Sequence, residues 1–257
     1  MTVPLITDWH FYALAVPCVI MLGISKSGFG AGFGALCVPL LAMVVTVPEA
    51  AALLMPVLLL MDLLSMAAFR KDYDRALLRF LIPCALVGVL IGTALFKWLD
   101  PRLVAGIVGV VTLLFLAQRL LFPPRPDASP PPRWVGAILV AISGFTSFIA
   151  HAGSPPLSAY VIPLKLKPVV FAATLSFLFF WVNLSKWIPY AWLGLLEWRT
   201  MATSLLLLPL APIGVWMGQR IARRISPVLF YRLIHVGIFL TGCKLTWDGL
   251  AYLGAWR

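Results

Sequence analysis

Between residues 9 and 250 the chain is a succession of apolar stretches with few charges inside them. About 20 apolar residues in a helix match the roughly 30 Å hydrocarbon core of a bilayer. Ten segments can be marked, at about 9–25, 30–47, 50–69, 77–98, 103–122, 134–150, 154–166, 168–190, 200–222 and 228–250. Inside lipid every backbone N–H and C=O must find its partner within the protein, so only helices and closed barrels span. Barrel strands read as alternating patterns of about ten residues, and these unbroken runs do not fit them. The sequence therefore predicts an all-α integral membrane protein with 8–10 transmembrane or re-entrant segments in contact with the lipid bilayer. Segments 30–47 and 154–166 are short or interrupted by Gly and Pro, and read as half-helices or re-entrant pieces.

Composition excludes the other broad classes. The chain is 62% hydrophobic and 11% charged, whereas soluble domains carry about 25% charged residues. A net charge of +11 would point to nucleic acid in a soluble protein. Here most basic residues sit in short connections between apolar segments, as positive-inside topology requires, so no nucleic-acid partner is expected. Cys18, Cys37, Cys84 and Cys243 lack CxxC spacing and read as small packing residues, with no metal and no cofactor implied. The first apolar segment has no basic flank before it, so no cleavable signal peptide is expected.

A Pro-rich stretch at 122–133 separates two groups of five segments, and its composition favours a stiff, extended linker. The two groups resemble each other. At an offset of 121, Gly23 falls on Gly144, Gly32 on Gly153 and Asp62 on Asn183. After a five-residue insertion the offset is 126, and Pro83 matches Pro209, Gly88 and Gly92 match Gly214 and Gly218, and Pro101 matches Pro227. We read this as a tandem duplication: a first transmembrane repeat at 1–121, the linker at 122–133 and a second repeat at 134–257. The pairs Gly88/Gly92 and Gly214/Gly218 have the small-xxx-small spacing that lets helices approach closely in lipid.

If all ten segments cross, alternate connections collect fourteen Lys and Arg on one side and four on the other, with Lys186 and Lys244 inside segments. Lys26 counts among the fourteen. The basic side is cytoplasmic, which puts the linker in the cytoplasm, both termini in the periplasm, and the protein in a bacterial inner membrane as a multi-pass chain. An odd number of crossings per repeat makes the second repeat inverted relative to the first, a frequent plan of secondary transporters.

Three stretches break the apolar pattern. Gly23-Ile-Ser-Lys-Ser-Gly-Phe-Gly-Ala-Gly-Phe-Gly34 is too rich in Gly for a regular helix. Unwinding there would expose N–H groups and a half-helix N-terminus, an anion-binding arrangement, to which Lys26 adds charge. The bland reading has Lys26 snorkelling to the headgroups. Ser143-Gly-Phe-Thr-Ser-Phe-Ile-Ala-His-Ala-Gly-Ser-Pro-Pro156 lies at the equivalent place in the second half. Ser147 and His151 share one helical face, and Pro155 and Pro156 suit the first turn of a new helix. The bland reading of His151 is a ring satisfied by a backbone carbonyl. The third stretch, Asn183-Leu-Ser-Lys186, lies deep in its segment, with Asp62 and Ser65 at equivalent positions. An ionisable group at mid-span costs about 2.5–3.5 kcal/mol on insertion scales, so function or an internal ion pair must explain it. Asp62 is the candidate coupling group or ion-pair partner of either lysine.

Gly-Ile-Ser-Lys-Ser-Gly-Phe-Gly at 23–30, Ala-His-Ala-Gly-Ser-Pro-Pro at 150–156 and Asn-Leu-Ser-Lys at 183–186 resemble the TauE/SafE sulfite-exporter family. The resemblance covers about residues 13 to 250, and Ser154 stands where another Gly is expected. It implies a transporter, not an enzyme, exporting sulfite or related organosulfur anions. It carries over Lys26 with its surrounding glycines, His151, Gly153, Asn183 and Lys186. Together with the residue reading, the expected substrate-binding set is Lys26, Ser27, Gly28, Gly30, Ser147, His151, Gly153, Asn183 and Lys186. The expected partner is a small anionic substrate, and a homodimer is the candidate assembly. An anion channel is the nearest rival; an intramembrane serine hydrolase using Ser25 or Ser27 with His151 is a distant one.

Overall fold

A computed structural model describes residues 5–29, 33–121 and 131–254, and they are helical throughout, without strands. Gly30 and most of the linker, residues 122–130, lie outside the described residues. The order is α1 (Trp9–Ile24), α2 (Cys37–Leu41), α3 (Val47–Ala68), α4 (Arg75–Leu95), α5 (Pro101–Leu121), α6 (Arg133–Ala150), α7 (Ser154–Val161), α8 (Pro168–Trp192), α9 (Trp198–Leu207), α10 (Leu210–Arg224) and α11 (Pro227–Gly254). Side-chain caps start several of them: Asp8 accepts from the His10 amide before α1, Thr46 from Glu49 before α3, and Asp74 from Leu77 before α4. Such caps satisfy N–H groups that a helix start leaves open.

Among the described residues, six helices are long and apolar enough to cross a membrane, and the bent pair α9–α10 makes up to seven. The expected segments 30–47 and 154–166 are not single helices: α2 has five residues and α7 eight. The expected segment 200–222 is broken between α9 and α10 by a bend of 51° at Pro209, where a proline removes a backbone donor. Its counterpart Pro83 is accommodated inside a continuous α4.

Beyond α1, Ser25–Phe29 continues as a π-helical turn. The Gly-rich run thus widens the helix through Phe29 instead of unwinding at Gly23. Residues Phe33–Leu36 form a 3₁₀ turn leading into α2, which folds back on α1: the Cys37 thiol reaches the Cys18 carbonyl at 3.3 Å.

The contacts between halves follow the internal offsets. In α1, Gly23 lies against Gly214 of α10; in α6, Gly144 lies against Ala85 of α4, one turn from Gly88. Gly23 and Gly144 are 121 positions apart, and Gly88 and Gly214 are 126 apart. α3 and α8 run antiparallel: Asp62 bonds Asn183, and the Asp74 amide just past α3 donates to Thr174 near the start of α8. α5 and α11 are also antiparallel, Gly106 lying against Gly249 and Gly109 against Thr246.

At one end of the bundle Arg223 donates to the Ala68 carbonyl at 3.0 Å, and Tyr231 donates to Leu166 at 2.7 Å. At the other, Lys97 stacks over Trp192, beside exposed Trp98 and Trp198. Exposed tryptophans at helix ends are what a membrane interface selects.

A methyl group added at Gly144 would overlap the Ala85 carbonyl, and backbone cannot move aside as a flexible side chain can. Gly144→Ala is therefore expected to lower stability by about 1–3 kcal/mol, read as a drop in thermal unfolding temperature in detergent. Gly254→Ala, which meets nothing within 4 Å, should leave it unchanged.

Candidate functional site

α3 places Asp62 fully buried about 22 Å from its own N-terminus, and α8 places Asn183 about 22 Å from its own; the two helices run in opposite directions. The two side chains meet at the crossing, where Asn183 Nδ2 donates to Asp62 Oδ2 at 2.8 Å. The π-helical turn after α1 delivers Lys26, whose Nζ lies 2.8 Å from Asp62 Oδ1. Lys26 is only 8% exposed, so it does not snorkel to the headgroups and leaves the count of loop cations. Its ammonium also lies 5.9 Å from the centre of the Phe179 ring, a cation–π distance.

Asn183 Oδ1 accepts from Lys186 Nζ at 3.1 Å. Lys186 also reaches the Ser147 carbonyl and hydroxyl, both at 2.7 Å, and His151 Nδ1 at 3.0 Å. The His151 backbone is left-handed (φ 52°) and ends α6, which turns the ring inward. Its Nε2 lies 3.0 Å from the Ala51 carbonyl on α3. Its Nδ1 lies 3.1 Å from the Ser147 carbonyl as well as facing Lys186, so both ring nitrogens meet a backbone carbonyl. The bland reading of His151 thus holds for both nitrogens, and the bland reading of Asp62 is correct for its pairing with Lys26.

These groups surround a cavity. Its polar lining is Ser25, Lys26, Ser147, His151, Ser154 and Asn183, and Leu22, Gly34, Leu54, Leu58 and Phe179 line the rest. It offers about 40 Å³ to the centre of a water-sized sphere, room for about three waters and the scale of a small oxyanion. Lys26 comes from the first half of the chain and Ser147, His151 and Asn183 from the second, so both halves line the one cavity.

Other expected site residues turn elsewhere. Ser27 donates to the Gly23 carbonyl at 2.6 Å and to Val215 at 2.9 Å, and Gly28 packs on Gly218. Both serve the contact with α10. Gly153 sits against Ser143, whose hydroxyl donates to the Gly153 carbonyl at 2.6 Å; a side chain there would push α7 off α6. Gly34, which also lines the cavity, donates its N–H to Ser25 Oγ at 2.9 Å. Lys186 is fully buried and stands behind the cavity wall, holding three of the residues that line it. Ser25, Ser154 and the Ala51 carbonyl were not in the expected set. A serine next to Lys26 was the available signal for Ser25; a main-chain carbonyl leaves none.

At the offset of 121, Lys26 corresponds to Ser147 and Ser65 to Lys186. Each half carries one lysine and one serine, in exchanged positions. Lys186 donates to Ser147, whereas the buried Ser65 hydroxyl has no partner among the described residues.

The family model described as sulfite exporter TauE/SafE matches residues 15–245. No curated protein and no solved structure matches the chain.

Removing one member of a buried ion pair typically costs 3–5 kcal/mol, because the other charge stays buried without compensation. Lys26→Met should therefore destabilise the protein by about that amount, and Lys26→Met/Asp62→Asn should recover most of it. Thermal unfolding of the three proteins in detergent checks this; equal instability of the single and double variants would contradict the pairing.

Proposed function

We propose that this chain, which belongs to the sulfite exporter TauE/SafE family, is a secondary transporter that exports a small anion such as sulfite or an organosulfonate. Transport works by alternating access around the cavity between Lys26 and Asn183. The observation that carries the reading is this cavity, lined by Lys26 and hydrogen-bonding side chains, within an otherwise apolar helical bundle. A cation would meet the Lys26 ammonium in the lining, with Lys186 behind the wall. An anion finds the Lys26 ammonium, the Ser25 and Ser154 hydroxyls and the Asn183 amide around it.

We read the halves as inverted repeats, 1–121 and 134–257, joined by a cytoplasmic linker in a bacterial inner membrane. The antiparallel α3–α8 and α5–α11 pairs and the exchanged glycine crossings support this reading. Rocking one half against the other would open the cavity to each side in turn. Export of an anion down an inside-negative potential gains about 2.3 kcal/mol per charge per 100 mV, so it needs no coupling ion. The channel alternative requires a continuous wet path, whereas Ser25, Lys26, Ser147 and Asn183 are all nearly sealed from solvent.

Purified protein in proteoliposomes should take up sulfite with saturation, and uptake should accelerate when the lumen is preloaded with unlabelled sulfite. Linear, non-saturating flux without acceleration would favour the channel, and no flux of sulfite or of organosulfonates would overturn the proposal.

A further inference from the structure

Lys26, Asp62 and Lys186 are the only charged side chains buried among the described residues. The Lys26–Asp62 pair sums to zero charge wherever its proton sits, with 2.8 Å between the two groups. Lys186 has no carboxylate of its own. Its Nζ lies 2.7 Å from the Ser147 carbonyl and 3.1 Å from Asn183 Oδ1, which only accept, and 3.0 Å from His151 Nδ1, which itself lies 3.1 Å from the Ser147 carbonyl. Asn183 cannot present its amide nitrogen instead, because that nitrogen donates to Asp62. His151 faces a carbonyl with each ring nitrogen, Ala51 at Nε2 and Ser147 at Nδ1. Three acceptor oxygens and the Nζ–Nδ1 contact call for four N–H bonds, whereas a neutral amine beside a neutral imidazole has three, so the pair carries one added proton. If the proton moved to His151 Nδ1, the Lys186–His151 pair would still carry it. The buried cluster therefore holds one positive charge in excess.

From this we infer that the site is built for a monoanion, and that Lys186 sets its valence without touching the substrate. The inference rests on the transport site proposed above and specifies its substrate class. A singly charged oxyanion in the cavity brings the buried cluster to neutrality. A dianion would leave an excess negative charge away from water, where uncompensated charge is costly. Lys186 is then a positioning residue: it fixes Ser147, His151 and Asn183 in the wall and supplies the uncompensated charge behind them.

Two anions of similar head group and different charge, methanesulfonate and sulfate, test this by anion-induced thermal shift and by competition against sulfite uptake. Wild-type protein should bind methanesulfonate at least tenfold more tightly than sulfate. Lys186→Gln, with a neutral cluster, should lose methanesulfonate binding by at least tenfold. Lys186→Gln/Asp62→Asn, which restores a single positive charge on Lys26, should regain it. If the double variant refolds to wild-type stability yet shows no methanesulfonate shift, Lys186 is only a structural partner and the inference fails. Equal affinity of the wild type for sulfate and methanesulfonate also overturns it while leaving the transport proposal standing. Failure of the wild type to bind or carry sulfite and both probes overturns the transport proposal itself.

Discussion

A carboxylate buried in an apolar bundle is the constraint from which the central architecture follows. Asp62 is wholly removed from water, and an ion so placed costs several kcal/mol unless it is paired and hydrogen-bonded. Lys26 compensates one oxygen and Asn183 the other, so the turn after α1 and the middle of α8 are both drawn to one point on α3. Asn183, oriented by Asp62, offers its carbonyl to Lys186; Lys186 holds Ser147 and His151 on α6; and His151 returns to α3 at the Ala51 carbonyl. The circuit ties four elements around the cavity with polar contacts alone. In lipid this matters more than in water, because burial of apolar surface gives little drive for helices to associate.

Around that circuit the helices are held by close backbone approach. The glycine crossings of α1 on α10 and α4 on α6 bring main chains together on either side of the site. The chemistry at the centre differs between the two halves of the chain. One half contributes Lys26 and Asp62, the other Ser147, Asn183 and Lys186. A carboxylate faces a carboxamide, and each lysine occupies the place of the other half's serine. The asymmetry is what leaves a net charge, since a carboxylate in both halves would have neutralised both lysines.

The membrane class and the helical fold were legible in the sequence because each depends on local composition. The convergence of Lys26, His151 and Asn183 was legible for a related reason: charged groups in apolar runs have few places to go. Helix termination was less so. The π-turn keeps Gly23–Phe29 helical where the glycine content argues for unwinding, because packing against Gly214 and Gly218 requires those glycines within a helix. Pro83 and Pro209 have the same residue type and equivalent places, yet only the second marks a break. Ser27, Gly28 and Gly153 illustrate a further limit: small residues beside a functional lysine or histidine serve helix contact as readily as ligand contact, and only the neighbour across the interface decides which.

The central claim is that the cavity beside Lys26 and Asn183 is where the anion resides. Selenite, an oxyanion analogue with a strong anomalous signal, tests it directly in crystals of the protein grown without selenomethionine. The account predicts an anomalous selenium peak inside the bundle, with its oxygens within hydrogen-bond reach of Lys26 Nζ and the Asn183 side chain. Selenium found only at the basic loops near Arg223 and Lys167, with the cavity occupied by water at saturating selenite, would contradict it.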